Sequence, residues 1–413
     1  MPSTDPLAQP PLQASTEPLA HRHDVALLDL DGTIYLGPRV IGGAAAAVAT
    51  ARAEGMRMSF VTNNAARTAG QVADQLCALG IPCRSDEVVT SAQAAAQVLH
   101  GLLPGGSAVL VVGGAGLTEA VGAAGFEPVE RSDVGPRAVV QGWSPDLSWA
   151  LLAEGAYALA AGLPWVVTNT DPTLPTPRGM APGNGSFVDL LAQVTGRQPD
   201  VVAGKPAPPL LQRAVVTSSA TAPLVVGDRL DTDIEGAHAV GLPSLLVLTG
   251  VTGPRALLEA EPNHRPTFVS ADLSGILTLH PGVTAAGDAW SCGLSVASLG
   301  PPDAGGSHVL SLRRTVAVPT GGPAATLLPP GEPSDLADLA DLADVADVSV
   351  VADHAILDDL RACCTAAWAA ADSGRPWHPA PGLLDHLDSS LPRRLVSSGG
   401  SEASADPAGT HPA

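Results

Sequence analysis

The stretch Val25-Ala26-Leu27-Leu28-Asp29-Leu30-Asp31-Gly32-Thr33-Ile34-Tyr35 decides how the rest of the chain is read. Residues 25–28 form a short, unbroken apolar run, the pattern of a strand buried on both faces of a parallel sheet. The run stops at two acids and a glycine, so Asp29 and Asp31 fall at the strand's carboxyl end. In an open α/β sheet that rim is where ligands bind, and side chains two apart on an extended chain project to the same side. Two carboxylates therefore converge. Gly32 lets the chain turn away, and Thr33 adds a hydroxyl. Such a pair can hold a hard cation such as Mg²⁺, or supply one nucleophile and one general acid/base. Asp-Gly is also ordinary turn chemistry, and the stretch alone leaves both readings open.

The same pattern recurs. An Ala-rich helix is expected over residues 43–55, then a second buried strand over 56–61 that ends in Thr62-Asn63-Asn64. Thr68 with Gln71 has the spacing of a capping box opening a helix that runs to Gly80. A hydroxyl and backbone amides at such a rim can bind phosphate oxygens, although Thr-Asn at a strand end is also common turn chemistry. A third apolar strand, from Leu224, ends in Gly227-Asp228-Arg229-Leu230-Asp231-Thr232-Asp233. Asp231 reads as a satisfied helix N-terminus. Another strand follows at 244–248. Between the second and third rim segments, residues 108–112, 138–141 and 165–168 read as strands and 147–161 as a helix. Gly113-Gly114-Ala115-Gly116 lacks the third glycine and the following acid of a dinucleotide-binding turn. The Pro- and Gly-rich segment from Asp171 to Ser186 reads as a functional loop whose one cation, Arg178, is either a contact for an anionic substrate or a solvated loop arginine.

Lys205 is the single lysine among 21 Lys and Arg residues. It sits in Gly204-Lys205-Pro206, between a strand and a helix. An ammonium is a compact point charge where a guanidinium is a wide fork, so a tight site would keep its lysine.

The chain of 413 residues has length for two or more domains and a sizeable core. It is 45% hydrophobic but only 3% aromatic, which predicts an aliphatic, helix-rich interior. A net charge of -20 argues against nucleic acid and anionic membranes as partners. The five cysteines have no zinc spacing, the amino terminus has no apolar core of a signal peptide, and no run approaches the ~18 residues of a membrane span. A cytoplasmic, reduced protein is expected.

Asp29-x-Asp31-Gly-Thr, Thr62-Asn63-Asn64, Gly204-Lys205-Pro206 and Gly227-Asp228-x-x-x-Thr-Asp233 resemble, in order, the four motifs of haloacid dehalogenase-like phosphatases. They are similar to the branch (subclass IIA) whose cap is inserted between the second and third motifs, which includes 4-nitrophenyl, phosphoglycolate and pyridoxal phosphate phosphatases. The likeness covers roughly residues 24–280 and extends to the Asp171–Ser186 loop and to Gly250-Val251. The chain also resembles bacterial glycerol-3-phosphate phosphatases with an acetyltransferase-like carboxyl-terminal region.

The resemblance implies an α/β fold: a Rossmann-like core with a parallel sheet, an inserted α/β cap of the kind that marks this branch, and a small carboxyl-terminal α+β region. On it, residues 23–103 and 197–280 would form the core, 104–196 the cap, and 281–378 a non-catalytic acetyltransferase-like appendage. Residues 1–22 would be a disordered leader and 379–413 a disordered tail. It also implies Mg²⁺-dependent hydrolysis of a small phosphomonoester, glycerol 3-phosphate first and phosphoglycolate, a sugar phosphate or 4-nitrophenyl phosphate as alternatives. Asp29 would be the nucleophile and Asp31 the general acid/base. Asp29, the backbone carbonyl of Asp31 and Asp228 would hold the metal; Thr62, Asn63 and Lys205 would hold the phosphoryl group with Asn64 nearby; Asp233 would orient Lys205 or a metal-bound water. A non-catalytic module with a relic site is the rival from another class, and it conflicts with the intact set of motif residues.

The last third differs in kind. Short apolar stretches at 294–299 and 309–318, an Asp-Leu-Ala repeat at 335–347 and an Ala-rich helix at 355–371 are expected. The region lacks an acetyl-CoA-binding loop, which leaves homo-oligomerisation or regulation as its role. Cys363, Cys364 and His378 read as packing or surface residues.

Overall fold

The computed structural model describes residues 12–176, 178–315 and 348–390. Its centre is a six-stranded, all-parallel sheet in the order Phe268–Ser270, Ser244–Val247, Pro223–Gly227, Val25–Leu28, Arg57–Thr62, Val88–Thr90. Val25–Leu28 is buried at every residue. Its alternation puts Ala26 and Leu28 in one apolar cluster with Phe60, Leu224 and Val226, and Val25 and Leu27 in another with Val61, Val89 and Val225. From this central strand the chain passes to Arg57–Thr62 on one side and returns later to Pro223–Gly227 on the other. The carboxyl ends of those three strands form the crevice where a parallel sheet binds its ligand.

The helices that carry the chain back are locally specified. Ala44–Ala53 follows Gly43, and Ala69–Ala78 opens on Thr68, whose hydroxyl accepts from Gln71 N at 3.2 Å while the Gln71 side chain accepts from Thr68 N at 2.9 Å. The capping box read from sequence therefore forms.

The insertion builds a second parallel sheet, in the order Val201–Val202, Trp165–Val167, Ala138–Gln141, Ala108–Val112, Glu127–Val129. Its edge strand, Val201–Val202, comes from residues expected in the core, so the insertion's sheet runs past residue 196. One face packs through Val109, Val111, Val140 and Val166 into the core's second apolar cluster, and the other lies under helices Trp149–Ala160 and Asn184–Thr195. The segment expected as a loop after Asp171 is a hairpin, Thr173–Thr176 paired with Gly179–Pro182.

The third region is an antiparallel meander, Thr284–Ala286, Ala289–Cys292, Ser295–Pro302 and His308–Arg314, closed by Trp377–Pro379 parallel to the last strand. The long helix Val348–Asp372 lies across it. Cys292, Cys363 and Cys364 are buried there, whereas His378 is partly exposed and meets Asp303 at 3.2 Å.

Two expectations of disorder are corrected. Residues 12–22 are docked: Leu12 N bonds Pro266 O at 3.1 Å, Ser15 N bonds His280 O at 2.8 Å, and Leu19 is fully buried. Two well-placed leucines and a few backbone bonds anchor a segment whose composition suggested none. Residues 379–390 likewise continue into helix Leu383–Ser390, held by buried Leu387 and by His386, whose Nε2 lies 3.0 Å from Asp359 Oδ2. Residues 1–11, the 335–347 repeat and 391–413 lie outside the described residues. Among the described residues no helix is long and apolar enough to cross a membrane.

Candidate active site

Asp29 N continues the ladder of the central strand by bonding Val226 O at 2.8 Å, which fixes the first carboxylate over the sheet rim. The chain then turns through Gly32 at φ +92°, where a Cβ would stand 2.4 Å from Asp228 Oδ2. Glycine is therefore required twice over, for the left-handed backbone and for the approach of the first rim segment to the third. Thr249 Oγ1 donates to Gly32 O at 2.6 Å and holds the turn.

Asp228 follows the Pro223–Gly227 strand and is wholly buried. Its Oδ2 accepts from Val251 N at 2.7 Å; among the described residues Oδ1 has no hydrogen-bond partner. Burial and the neighbouring charge of Asp233 push its carboxyl up to about 7, against the Val251 amide, Lys205 and Arg229. A π-helical turn, Leu230–Ile234, brings Asp233 back beneath the strand end, where Gly227 leaves room for it.

Lys205 is buried at 3% exposure, with Nζ 2.6 Å from Asp29 Oδ1 and 2.7 Å from Asp233 Oδ1. Burial disfavours its charge, but the two carboxylates outweigh that and raise its pKa. Asp29 is raised well above the ordinary carboxylate range by burial; Lys205 pulls it down while Asp233 and Asp228 push it further up.

One oxygen each of Asp29, Asp228 and Asp233 lies within 4.8 Å of the others. Three carboxylates face one ammonium, and a buried carboxylate oxygen is left unpartnered. That donor set fits a small hard cation such as Mg²⁺, which takes one or two carboxylates and otherwise water and phosphate oxygens. Asp233 has both oxygens engaged, Oδ1 by Lys205 and Oδ2 by Arg229 N at 3.1 Å, so Asp29 and Asp228 are the pair with oxygen to offer.

The carboxylate of Asp31 stands outside this cluster, facing solvent. It is nonetheless flanked by protein, and the resulting desolvation raises its carboxyl against the pull of Arg67 and Lys205. Arg67 was not singled out from sequence. Its guanidinium donates to Gln75 Oε1 and, at 3.5 Å, to the hydroxyl of buried Tyr35, which makes it the arginine whose charge bears on Asp31. The signal was position: Arg67 lies just past Thr62-Asn63-Asn64 on the same rim.

Thr62 is buried, and its Oγ1 accepts from Asn64 N at 3.1 Å, which leaves its proton to donate. Asn64 Oδ1 caps Ala66 N at 2.9 Å. The Asn63 side chain does not face an open site: Oδ1 accepts from Lys205 N at 2.8 Å, and Nδ2 donates to Lys205 O at 2.9 Å and Asp171 Oδ2 at 3.2 Å. Arg178 lies exposed between the strands of the hairpin, and among the described residues its guanidinium has no hydrogen bond or ion pair. The structure thus gathers Asp29, Asp31, Thr62, Asn63, Asn64, Lys205, Asp228 and Asp233 at one rim and gives Arg178 no contact there.

The family model described as haloacid dehalogenase-like hydrolase matches residues 26–127, and a second, HAD-hydrolase-like, matches 202–276. The chain is 51% identical over 258 residues, 62% of its length and 72% of the relative's, to the D-glycerol 3-phosphate phosphatase of Mycobacterium tuberculosis. It resembles the crystal structure of a glycerol phosphate phosphatase from that organism in complex with magnesium, at TM-score 0.71 and 38% identity over 92% of this chain and 100% of the other. The p-nitrophenyl phosphatase of Archaeoglobus fulgidus superposes at TM-score 0.58 and 29% identity over 62% of this chain and 98% of its own. With the four rim segments in place and relatives this similar, the chain belongs to the haloacid dehalogenase-like hydrolases and is a phosphatase of that family.

Proposed function

We propose that the chain hydrolyses a small phosphomonoester, with glycerol 3-phosphate as its preferred substrate, through a phosphoryl-aspartate on Asp29. The observation that carries the reading is the approach of the Asp29 and Asp228 carboxylates to one another, with Lys205 bonded to Asp29 and an Asp228 oxygen unpartnered among the described residues.

In the first step an Asp29 oxygen forms a bond to phosphorus as the bond to the leaving oxygen breaks, and Asp31 gives that oxygen its proton. Desolvation raises the Asp31 carboxyl, the direction that favours its proton-carrying form. In the second, Asp31 takes a proton from water as the water oxygen attacks phosphorus; inorganic phosphate leaves and Asp29 is restored. Lys205 fixes the attacking carboxylate by its 2.6 Å bond and places a permanent positive charge beside the transferring group. Thr62 has a hydroxyl proton to donate there. Asp29, Asp228 and the backbone carbonyl of Asp31 would hold Mg²⁺, which when bound offsets the repulsion between the carboxylates and an anionic phosphate. The insertion over residues 104–202 acts as a cap that shields the site and selects the leaving group.

The test is phosphate release from glycerol 3-phosphate, phosphoglycolate, a hexose phosphate and 4-nitrophenyl phosphate, with Mg²⁺ and with EDTA, for wild type and Asp29→Asn. Magnesium-dependent turnover that vanishes in Asp29→Asn, with the highest kcat/KM on glycerol 3-phosphate, is expected. Equal turnover in Asp29→Asn would rule out the covalent route, and a better substrate in the panel would displace glycerol 3-phosphate.

A further inference from the structure

A carboxamide has one acceptor oxygen and two N–H donors. In Asn63 all of that capacity is in use within the protein, with Oδ1 on Lys205 N and the two Nδ2 protons on Lys205 O and Asp171 Oδ2. The side chain brackets the Lys205 peptide from both sides across 142 positions of sequence. Gly204 makes room for it: a Cβ there would lie 2.6 Å from Asn63 Oδ1 and 2.4 Å from Thr168 O. The Asn63 carbonyl is gripped in turn, by Ser91 Oγ at 2.6 Å and Asn169 Nδ2 at 2.7 Å. Asn169 is itself tied to the insertion, its carbonyl accepting from Asn184 Nδ2 at 2.6 Å and its Oδ1 from Asp171 N at 3.2 Å.

We propose that Asn63 is a positioning residue for Lys205 rather than a phosphoryl ligand, and that through Asp171 and Asn169 it links the setting of the inserted cap to the placement of the Lys205 ammonium on Asp29. The inference rests on the phosphatase reading above. Its logic is geometric. The ammonium reaches Asp29 and Asp233 from a side chain whose backbone is held at both N and O by one carboxamide. Losing that bracket frees the peptide that anchors the reach, while the ammonium and the carboxylates stay chemically intact. An Asn63 that instead turned to grip a phosphoryl group would have to release both Lys205 and Asp171.

The sole lysine supplies the test. Protein labelled with ¹⁵N-lysine and carrying no lysine in its tag shows one backbone amide, that of Lys205, the proton that Asn63 Oδ1 accepts. In Asn63→Ala that resonance is expected to shift and its hydrogen exchange to quicken, and kcat on the best panel substrate to fall by roughly 10- to 100-fold, the usual cost of losing an outer orienting partner. Asp171→Asn should move the same resonance in the same direction and less far. If Asn63→Ala does not fold, Asn63→Asp keeps an acceptor for Lys205 N while losing both donors, and the same two readouts apply. Activity that falls with the Lys205 amide unmoved would put Asn63 on the phosphoryl group and overturn the proposal, as would a displaced amide with unchanged kcat. A wild type inactive on the whole panel would overturn the phosphatase reading itself, and it is told apart because the amide readout needs no turnover.

Discussion

Replacing Lys205 by methionine removes one positive charge and little volume, and the structure sets what that should cost. The ammonium is 3% exposed and makes bonds of 2.6 Å to Asp29 and 2.7 Å to Asp233. Two charge-assisted hydrogen bonds at about 1.5–3 kcal/mol each bracket a loss of roughly 3–6 kcal/mol. Stripping one partner from a buried ion pair costs about 3–5 kcal/mol, in the same range. Part of that loss is avoidable, because burial already raises the Asp29 carboxyl, and without Lys205 to oppose it the rise is larger. An acid whose folded pKa lies above its unfolded value destabilises the fold when ionised, so the deficit is full at pH values above the folded pKa and shrinks as pH falls through it. Urea unfolding in EDTA should therefore show Lys205→Met less stable than wild type by up to about 3–5 kcal/mol, with a deficit at pH 8 that is larger than at pH 5. Turnover with Mg²⁺ should fall by roughly 10²–10³-fold, the usual effect of removing one fixed electrostatic group. Lys205→Arg keeps the charge but brings a planar fork into a pocket closed by Asp29, Asp233 and the Val61 carbonyl, and it should restore little of the activity. A methionine variant that unfolds at the wild-type urea midpoint at pH 8, or an arginine variant with wild-type kcat, would refute this account of the ammonium.

A Cβ on Gly250 would stand 1.9 Å from Asp228 Oδ2, so Gly250→Ala should displace that carboxylate, cost about 1–3 kcal/mol by overpacking, and raise the Mg²⁺ concentration needed for half-maximal activity; an unchanged magnesium titration would count against Asp228 as a ligand. In the third region, burial alone would raise the carboxyl pKa of Asp359, but bonds from His386 at 3.0 Å, from Arg314 and from Ser295 at 2.6 Å outweigh it and lower the value. The stability it adds is present above the unfolded carboxyl pKa and lost as pH falls through the lower folded value. Asp359→Asn should accordingly destabilise by about 1–3 kcal/mol at pH 7 and by little near pH 2, measured by thermal unfolding; a deficit independent of pH would point to packing instead. Arg178→Ala should leave kcat/KM within about twofold, because its exposed side chain has no partner to lose among the described residues, and a larger drop would show that the hairpin folds over bound substrate.

The parts of this fold that could be read from sequence are those whose cause is local. Val25–Leu28 and Leu224–Val226 are continuous apolar runs because both faces of their sheet are covered, and each run ends in an acid because the rim is where polar chain resumes. The Thr68–Gln71 box was legible for the same reason: both partners sit within four residues. Contacts between distant segments were not. The family resemblance implied Asn63 as a phosphoryl ligand, and only the fold shows its carboxamide bonded to Lys205 N and O. Arg178 stood out in sequence as the one cation of its loop, and Arg67 did not stand out at all. A two-strand hairpin leaves the first exposed, whereas the helix opened by Thr68 holds Arg67 on Gln75. The docked amino-terminal segment escaped because Leu12 and Leu19 carry no periodicity, and short strands such as Glu127–Val129 are too brief to form a pattern.

The third region shares an interior with the core, which bears on how Asp228 is held. Leu246, Leu257, Leu258 and Val269 of the core lie in one apolar cluster with Trp290, Leu360, Cys363 and Trp368. Polar bonds cross the same boundary: Trp368 Nε1 donates to Leu257 O at 3.1 Å, Arg361 donates to Val269 O at 2.8 Å, and Arg265 forks onto Asp372 at 2.7 and 2.8 Å. Leu257 belongs to the five-residue helix Pro254–Leu258, and the residues just before it include Val251, whose amide holds Asp228 Oδ2, and Thr252, whose amide bonds Asp228 O at 3.2 Å. A helix of five residues has too few internal hydrogen bonds to fix its own position, so its place depends on what it packs against. Here that is helix Val348–Asp372. Helix Val348–Asp372 therefore stands one short helix and two residues away from the amide that orients a buried active-site carboxylate.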